Sequence, residues 1–280
     1  MGGWRRTHRG GTRLALMLAL VGCRTAAATD DAPDQLLLTV NGETLSGTNG
    51  GAGVTVGWLH NFDAQTLTEI GAEHQAISNA QWSLCLLDGS LTRGDPDARY
   101  TFYADAREGA GDIGASAFHY SVLTGGVIGT WSQRWSVQLE DRQIDVSSTN
   151  GNLPKIGLMF LWSHRWLVAA SYAYSVGGNL GTRLSAASLQ ETGARFNALI
   201  GVAFGQAAPP LVDLQAGLVL PGRMLREGYA GVSTALPSWH AQLSVIADYV
   251  DLAGTRRAAL TVSYVQRLGS SAGAVGTPAR

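Results

Sequence analysis

From about Gly51 to Leu268 the sequence repeats one rhythm, in which apolar and polar residues alternate in segments of roughly ten residues divided by clusters of Gly, Asn, Asp or Pro. A period of two belongs to strands, whose successive side chains point to opposite faces. No stretch offers a convincing amphipathic helix. Arg99, Thr101, Tyr103, Asp105 and Arg107 share one face of their segment, and Tyr100, Phe102, Ala104 and Ala106 the other. Trp131, Trp135, Val137 and Leu139 oppose Ser132, Arg134, Ser136, Gln138, Glu140 and Arg142, with Gln133 the one polar intruder. The same holds for Leu214, Ala216, Leu218 and Leu220 against Asp213, Gln215 and Gly217. It holds again for Leu243, Val245, Ala247 and Tyr249 against Gln242, Ser244 and Asp248, and for Ala258, Leu260, Val262 and Tyr264 against Arg257, Thr261, Ser263 and Arg267.

Alternation suits a soluble sandwich as well as a barrel, so the environment has to be read from elsewhere. Only 15% of the residues are charged, against a usual share of about a quarter, and 36 are glycine. Much of the surface therefore faces something other than water. Aromatic residues gather near segment ends, at Trp58, Trp82, Trp131, Trp162, Trp166, Tyr174, Tyr229, Trp239 and Tyr249, as in the girdles where amphipathic rings sit between headgroups and hydrocarbon. Hydrocarbon offers no hydrogen-bond partners, so a sheet within it must close. The fold class expected is all-β, a closed antiparallel transmembrane β-barrel of about fourteen strands, or twelve if weak pairs merge. Strands are expected to start near Val54, Leu67, Gln81, Ala98, Asp112, Thr130, Lys155, Trp166, Thr182, Ala194, Leu211, Glu227, His240 and Arg256.

The amino terminus reads as an export signal: Arg5, Arg6, Arg9 and Arg13, an apolar run from Leu14 to Gly22, then Ala26-Ala27-Ala28. Residues 1–28 are assigned as a signal peptide, 29–50 as a short periplasmic lead-in, 51–268 as the barrel and 269–280 as a flexible tail. Leu20-Val21-Gly22-Cys23 resembles a lipobox, which would end the leader at residue 22 and make Cys23 a lipidation candidate. Cys85 is the other cysteine, and in its apolar run from Trp82 to Leu87 it reads as a small hydrophobe. The net charge of −1 gives no basic field, so nucleic acid is not an expected partner.

Arg257 to Tyr264 resembles the C-terminal signal by which barrel-assembly machinery recognises its clients, with Ala259 where glycine is typical and a tail continuing past Leu268. In rhythm and size, residues 51–268 resemble the YaiO-type family of outer-membrane barrels, with Gly71-Ala72-Glu73-His74 and Gly151-Asn152-Leu153-Pro154 as the segments in point. That resemblance implies a Gram-negative cell envelope, outer-membrane lipids and assembly machinery as partners, and company with a periplasmic or exopolysaccharide-export partner.

Charged residues within the alternating segments would be costly against lipid and are assigned to the lumen: Glu69, Glu73, Arg99, Asp105, Arg107, Arg134, Glu140, Arg142, Arg183, Glu191, Arg195 and Asp248, with Tyr103 beside them. Their mixed signs suit either an interior plug of salt bridges or a narrow aqueous path with little net ion preference. Small inward residues, Ala169, Ser171, Ala173 and Ser175, leave room for neighbours, and a mostly filled or narrow lumen is expected. With a periplasmic amino terminus, short outer connections at Asn61 to Ala64, Ser163 to Arg165 and Leu252 to Thr255 argue against a plugged transporter.

The reading is of a non-catalytic, porin-like narrow pore or export-associated barrel, with a partner-binding barrel as the alternative. Gly151-Asn152-Leu153 and Gly178-Asn179-Leu180 repeat about one hairpin apart and read as turn chemistry or as a periplasmic contact surface. His119-Tyr120-Ser121 resembles the His-x-Ser pair of lipid A deacylases, which makes His119 and Ser121 the weak catalytic alternative; Val122 departs from that pattern, and no carboxylate has compelling register. His60, His74, His164 and His240 are scattered, without Cys or carboxylate at ligand spacing, so no metal or other cofactor is expected.

Overall fold

The computed structural model describes residues 34–45, 50–63, 66–77, 82–94, 99–113, 116–146, 149–193, 196–207, 223–252 and 255–268. Its strands are β1 (Gln35–Leu45), β2 (Gly51–Asp63), β3 (Thr66–Ile77), β4 (Trp82–Arg93), β5 (Tyr100–Ile113), β6 (Ser116–Thr130), β7 (Trp135–Val146), β8 (Thr149–Asn152), β9 (Lys155–Leu161), β10 (Trp166–Tyr174), β11 (Arg183–Thr192), β12 (Phe196–Ala207), β13 (Arg223–Leu236), β14 (Ala241–Leu252) and β15 (Thr255–Arg267). Apart from β8 and β9, each pairs antiparallel with its neighbours in chain order, and β1 pairs with β15 over eleven residue pairs, from Gln35 with Arg267 to Leu45 with Arg257. That last ladder closes the sheet into a barrel.

β8 and β9 are two halves of one stave, since both pair with β7. Between them Leu153 still exchanges backbone bonds with Arg142, at 2.8 and 3.3 Å, while Pro154 has no N–H to contribute. Counting that interrupted stave once gives fourteen, the number expected. The membership differs from expectation in one place. Gln35–Leu45, assigned to a lead-in, is a full stave, and β12 pairs directly with β13, while the stave expected near Leu211 lies outside the described residues. Leu214, Ala216, Leu218 and Leu220, the leader with Cys23, and residues 269–280 lie outside the described residues. Polar flanks and Asn41-Gly42, a turn signature, hid the first stave. In the barrel Asn41 faces in and Gly42 out along unbroken pairing.

The extra stave also changes which connections share an end. The near end holds the start of β1, the end of β15, and the connections at 64–65, 131–134, 162–165 and 237–240; the far end holds those at 147–148 and 175–182. Asn61 to Ala64 and Ser163 to Arg165 are therefore at the near end, and Leu252 to Thr255 at the far one. The six tryptophans with described side chains, Trp58, Trp131, Trp135, Trp162, Trp166 and Trp239, all sit toward the near end and are at least a third exposed. Trp135 packs against Phe160 at 4.4 Å, and Trp58 stacks on His60 at 5.1 Å. Tyr172, Tyr174 and Tyr249 are exposed toward the far end. Tyr229, expected in a girdle, faces inward instead, because it pairs with Asp248 and Gly201 on the interior parity.

Between these girdles the outer face is apolar. Val54, Val40, Val262, Val245 and Val232 form one row across five staves, each opposite the next. β-branched side chains suit such a pleated surface, and their exposure is intelligible only against hydrocarbon. Val262→Arg in this row should destabilise the barrel by about 2–4 kcal/mol, whereas Thr44→Arg near a stave end should cost about 0–1 kcal/mol. Urea unfolding in lipid vesicles, followed by heat-modifiable gel migration, measures both; equal costs would contradict the assignment of the lipid face.

Candidate functional site

The inner wall mixes buried apolar clusters, Leu37 with Leu59 and Leu67, Ile128 with Met159 and Leu167, and Ala203 with Leu225 and Val250, with charged and polar residues. Three polar groups stand on it. In the first, on β5, β7 and β9, Glu140 is the centre: the Tyr103 hydroxyl donates to it at 2.7 Å, Gln138 Nε2 at 3.1 Å, Arg142 Nε at 2.7 Å and Lys155 Nζ at 3.3 Å. Gln138 also donates to the Tyr103 hydroxyl at 2.7 Å. The Glu140 side chain is 2% exposed, so this carboxylate is held by neighbours rather than by solvent.

In the second, Arg257 on β15 bridges to Asp248 on β14 at 2.6 Å and to Glu43 on β1 at 3.4 Å, and thus spans the seam where the barrel closes. Its side chain is 3% exposed. The third group lies along β3 to β5, where Glu69, Glu73, Asp88 and Asp105 share the interior parity with Arg107, whose Nε is 3.6 Å from Asp105. Here carboxylates outnumber cations.

The inward glycines explain how these side chains are accommodated. A side chain on Gly126 would collide with the Tyr103 ring, and one on Gly201 with the Tyr229 ring. Gly71 likewise leaves room for Asp88, and Gly53 for Asn41 and Gln75. Tyr103, Tyr229, Asp88, Asn41 and Gln75 therefore each lie over a neighbouring glycine. That is one physical reason for the glycine content, which composition alone leaves open.

Of the residues assigned to the lumen, Glu69, Glu73, Tyr103, Asp105, Arg107, Glu140, Arg142 and Asp248 face inward. Arg99 and Arg134 are exposed at the near rim, outside the staves. Arg183 and Glu191 face outward, and this corrects the expectation. Arg183 pairs with Tyr174 and lies over its ring at 5.3 Å, while Glu191 pairs with Trp166. Both occupy stave ends, where a charge sits at headgroup depth and escapes the hydrocarbon penalty. Arg195 lies outside the described residues. Glu43, Asp88, Lys155, Glu227 and Arg257 are inward charges that sequence reasoning left off. The alternation of β15 already put Arg257 on the polar face, and Glu43 fell in the segment read as a lead-in.

The two Gly-Asn-Leu copies meet at the far rim. Asn179 N donates to Asn150 O at 2.9 Å, Asn150 N donates to Asn179 Oδ1 at 2.8 Å, and Asn152 and Val176 exchange backbone bonds at 2.8 and 3.1 Å. Leu153 and Leu180 are buried, and Gly178, at φ +58°, leaves no space for a side chain beside Asn150 O. The repeat is spent on fastening one loop to its neighbour, at the end opposite the chain ends.

His119 and Ser121 face outward on β6. Ser121 Oγ donates to Glu108 Oε1 at 2.6 Å, and His119 Nε2 lies 3.3 Å from Asp145. The register thus supplies two carboxylates, Glu108 and Asp145, but the serine hydroxyl is directed to a carboxylate and not to the imidazole that would have to activate it. Cys85 is exposed on the outer face, with His74 Nδ1 3.2 Å from its sulfur.

No family model and no curated protein matches the sequence. The resemblance to YaiO-type barrels accordingly extends no further than architecture. Solved structures do share the fold. The CymD monoaromatic hydrocarbon channel superposes with a TM-score of 0.58 at 11% identity, over 96% of this chain and 95% of that one. A Pseudomonas aeruginosa FadL homologue gives 0.54 at 9% identity, over 85% and 91%. The Acinetobacter baumannii outer membrane protein Omp33 gives 0.51 at 10%, over 85% and 99%. At such identities the shared property is the fold: a closed antiparallel transmembrane β-barrel of the outer-membrane type.

Adjacent glycines on opposite faces give a direct check of the wall's construction. Gly126→Ala should destabilise the barrel by about 1–3 kcal/mol by forcing Tyr103 off the wall and away from Glu140. Gly125→Ala, with no atom within 4 Å of the added carbon, should be close to neutral. Urea midpoints of the two variants decide; reversal of their order would mean that the inner side chains are not stacked as described.

Proposed function

We propose that the protein is a narrow channel for small solutes in the outer membrane of a Gram-negative cell, with its chain ends in the periplasm and its Gly-Asn-Leu rim outside. What supports this reading is the charge on the inner wall, where Glu69, Glu140 and Arg257 stand among apolar clusters and Tyr103 and Asp88 lie over glycines. A structural barrel has no need of buried charge at Glu43, Glu140 and Arg257, since apolar residues in their places would fill it at least as stably. The fold shared with structures described as a hydrocarbon channel and an outer membrane protein accords with passage across the membrane.

The wall also favours one sign of ion. Between the stave ends, the described inward residues include eight carboxylates, Glu43, Glu69, Glu73, Asp88, Asp105, Glu140, Glu227 and Asp248, against four cations, Arg107, Arg142, Lys155 and Arg257. Fixed charge of one sign in a low-dielectric passage concentrates the opposite ion. This replaces the expectation of little net preference.

Planar-bilayer recording of the purified barrel tests both parts. Discrete conductance steps are expected, with a reversal potential in a potassium chloride gradient shifted toward that of the cation. Glu73→Gln with Asp88→Asn should reduce the shift. A barrel that refolds yet gives no steps would end the channel reading, whereas steps with anion preference would remove only the selectivity.

A further inference from the structure

On the outer wall an open glycine coincides with a break in a stave. Where the stave of β8 and β9 breaks at Pro154, opposite Asp141, the outward position on β6 is Gly125, which has open space before it. Missing side chain and missing ladder bond together leave a groove of about 670 Å³ across β6 to β10. That lies within the roughly 300–1,000 Å³ usual for ligand sites. Its walls are Val127, Leu139, Ile156, Tyr172 and Tyr174, all outward-facing.

The far-end boundary of this groove is not apolar. Tyr174, one of its walls, carries the Arg183 guanidinium over its ring at 5.3 Å. The cross-strand partners of Arg183 are Tyr174 and Gln206, neither of them charged. The nearest outward carboxylate lining the groove, Asp141, is three stave spacings away, about 14 Å. An aromatic-stacked guanidinium is held in place with its N–H edges available, which suits a phosphate oxygen pair.

The geometry points to a seat for one anionic, phosphate-bearing lipid of the surrounding bilayer, with an acyl chain in the groove at Gly125 and Pro154 and a phosphate on Arg183. A shallow, largely apolar depression on the outer face, with the Arg183 cation beyond its far-end wall, fits an anionic amphiphile. A zwitterionic lipid would bring its own cation to the same place. This site goes beyond solute passage and does not rest on it, because the lumen is on the other face of the wall.

Native mass spectrometry of the full-length barrel, released from vesicles of equal parts phosphatidylglycerol and phosphatidylcholine, tests the site. The wild type should retain one phosphatidylglycerol in preference to phosphatidylcholine by roughly tenfold, the share of one charge-assisted hydrogen bond. Arg183→Gln should abolish the preference while lipid of either kind is still retained. Gly125→Leu, which fills the groove, should lower retention of both. Heat-modifiable migration confirms that each variant is folded, and Arg183→Gln alone suffices should Gly125→Leu fail that check. Equal retention of the two lipids by the wild type, or an undiminished preference in Arg183→Gln, overturns the proposal.

Discussion

Every other feature of this barrel depends on the ladder between β1 and β15. In hydrocarbon an unpaired backbone amide costs several kcal/mol, and an open sheet edge would expose a row of them. Pairing Gln35–Leu45 with Thr255–Arg267 removes both edges at once. The same ladder carries the contact of Arg257 with Glu43, so the polar interior is tied across the seam that the backbone closes. Closure is a long-range event: the partners stand at opposite ends of the chain, and the loop they close contains all the other staves.

Once the sheet is closed, the two faces answer to different solvents. The outer row of valines answers to lipid, with the tryptophans marking where hydrocarbon stops. Inside, charge is tolerated because it is distributed: Glu140 is surrounded by four donor side chains, Arg257 by two carboxylates, and the acidic arc on β3 to β5 by Arg107. Glycine is what lets these groups lie against the wall. The interior therefore combines buried charge with apolar clusters such as that of Leu37, Leu59 and Leu67. The same small residue on the outer face, at Gly125, has the opposite consequence and opens a groove toward the lipid.

Most of the architecture was legible beforehand. The alternation located thirteen of the fourteen staves and assigned the faces of β5, β14 and β15 residue by residue. β1 was assigned to the lead-in because its short strand-like run, Leu36 to Val40, stands between polar flanks; its membership is decided by its pairing with β2 and β15, which no local sequence shows. Arg183 and Glu191 were assigned to the wrong face for a related reason. Alternation says that a charged residue alternates, but the depth at which it does so depends on where the stave ends relative to the membrane. His119 and Ser121 share a strand face as their spacing requires, yet their partners are set by the register of β5 and β7, which no local pattern encodes.

The sequence by itself determined the period of two, the scarcity of charge and the turn chemistry, and these require a closed sheet of this size in a membrane, because strand pleat and hydrocarbon leave a chain of such texture no other way to satisfy its amides. Only the tertiary structure decided which segment is the closing stave, which end each rim belongs to, and which charges meet. Those are matters of register between distant strands, and a shift of one stave or one residue exchanges ends or faces without altering a single local preference.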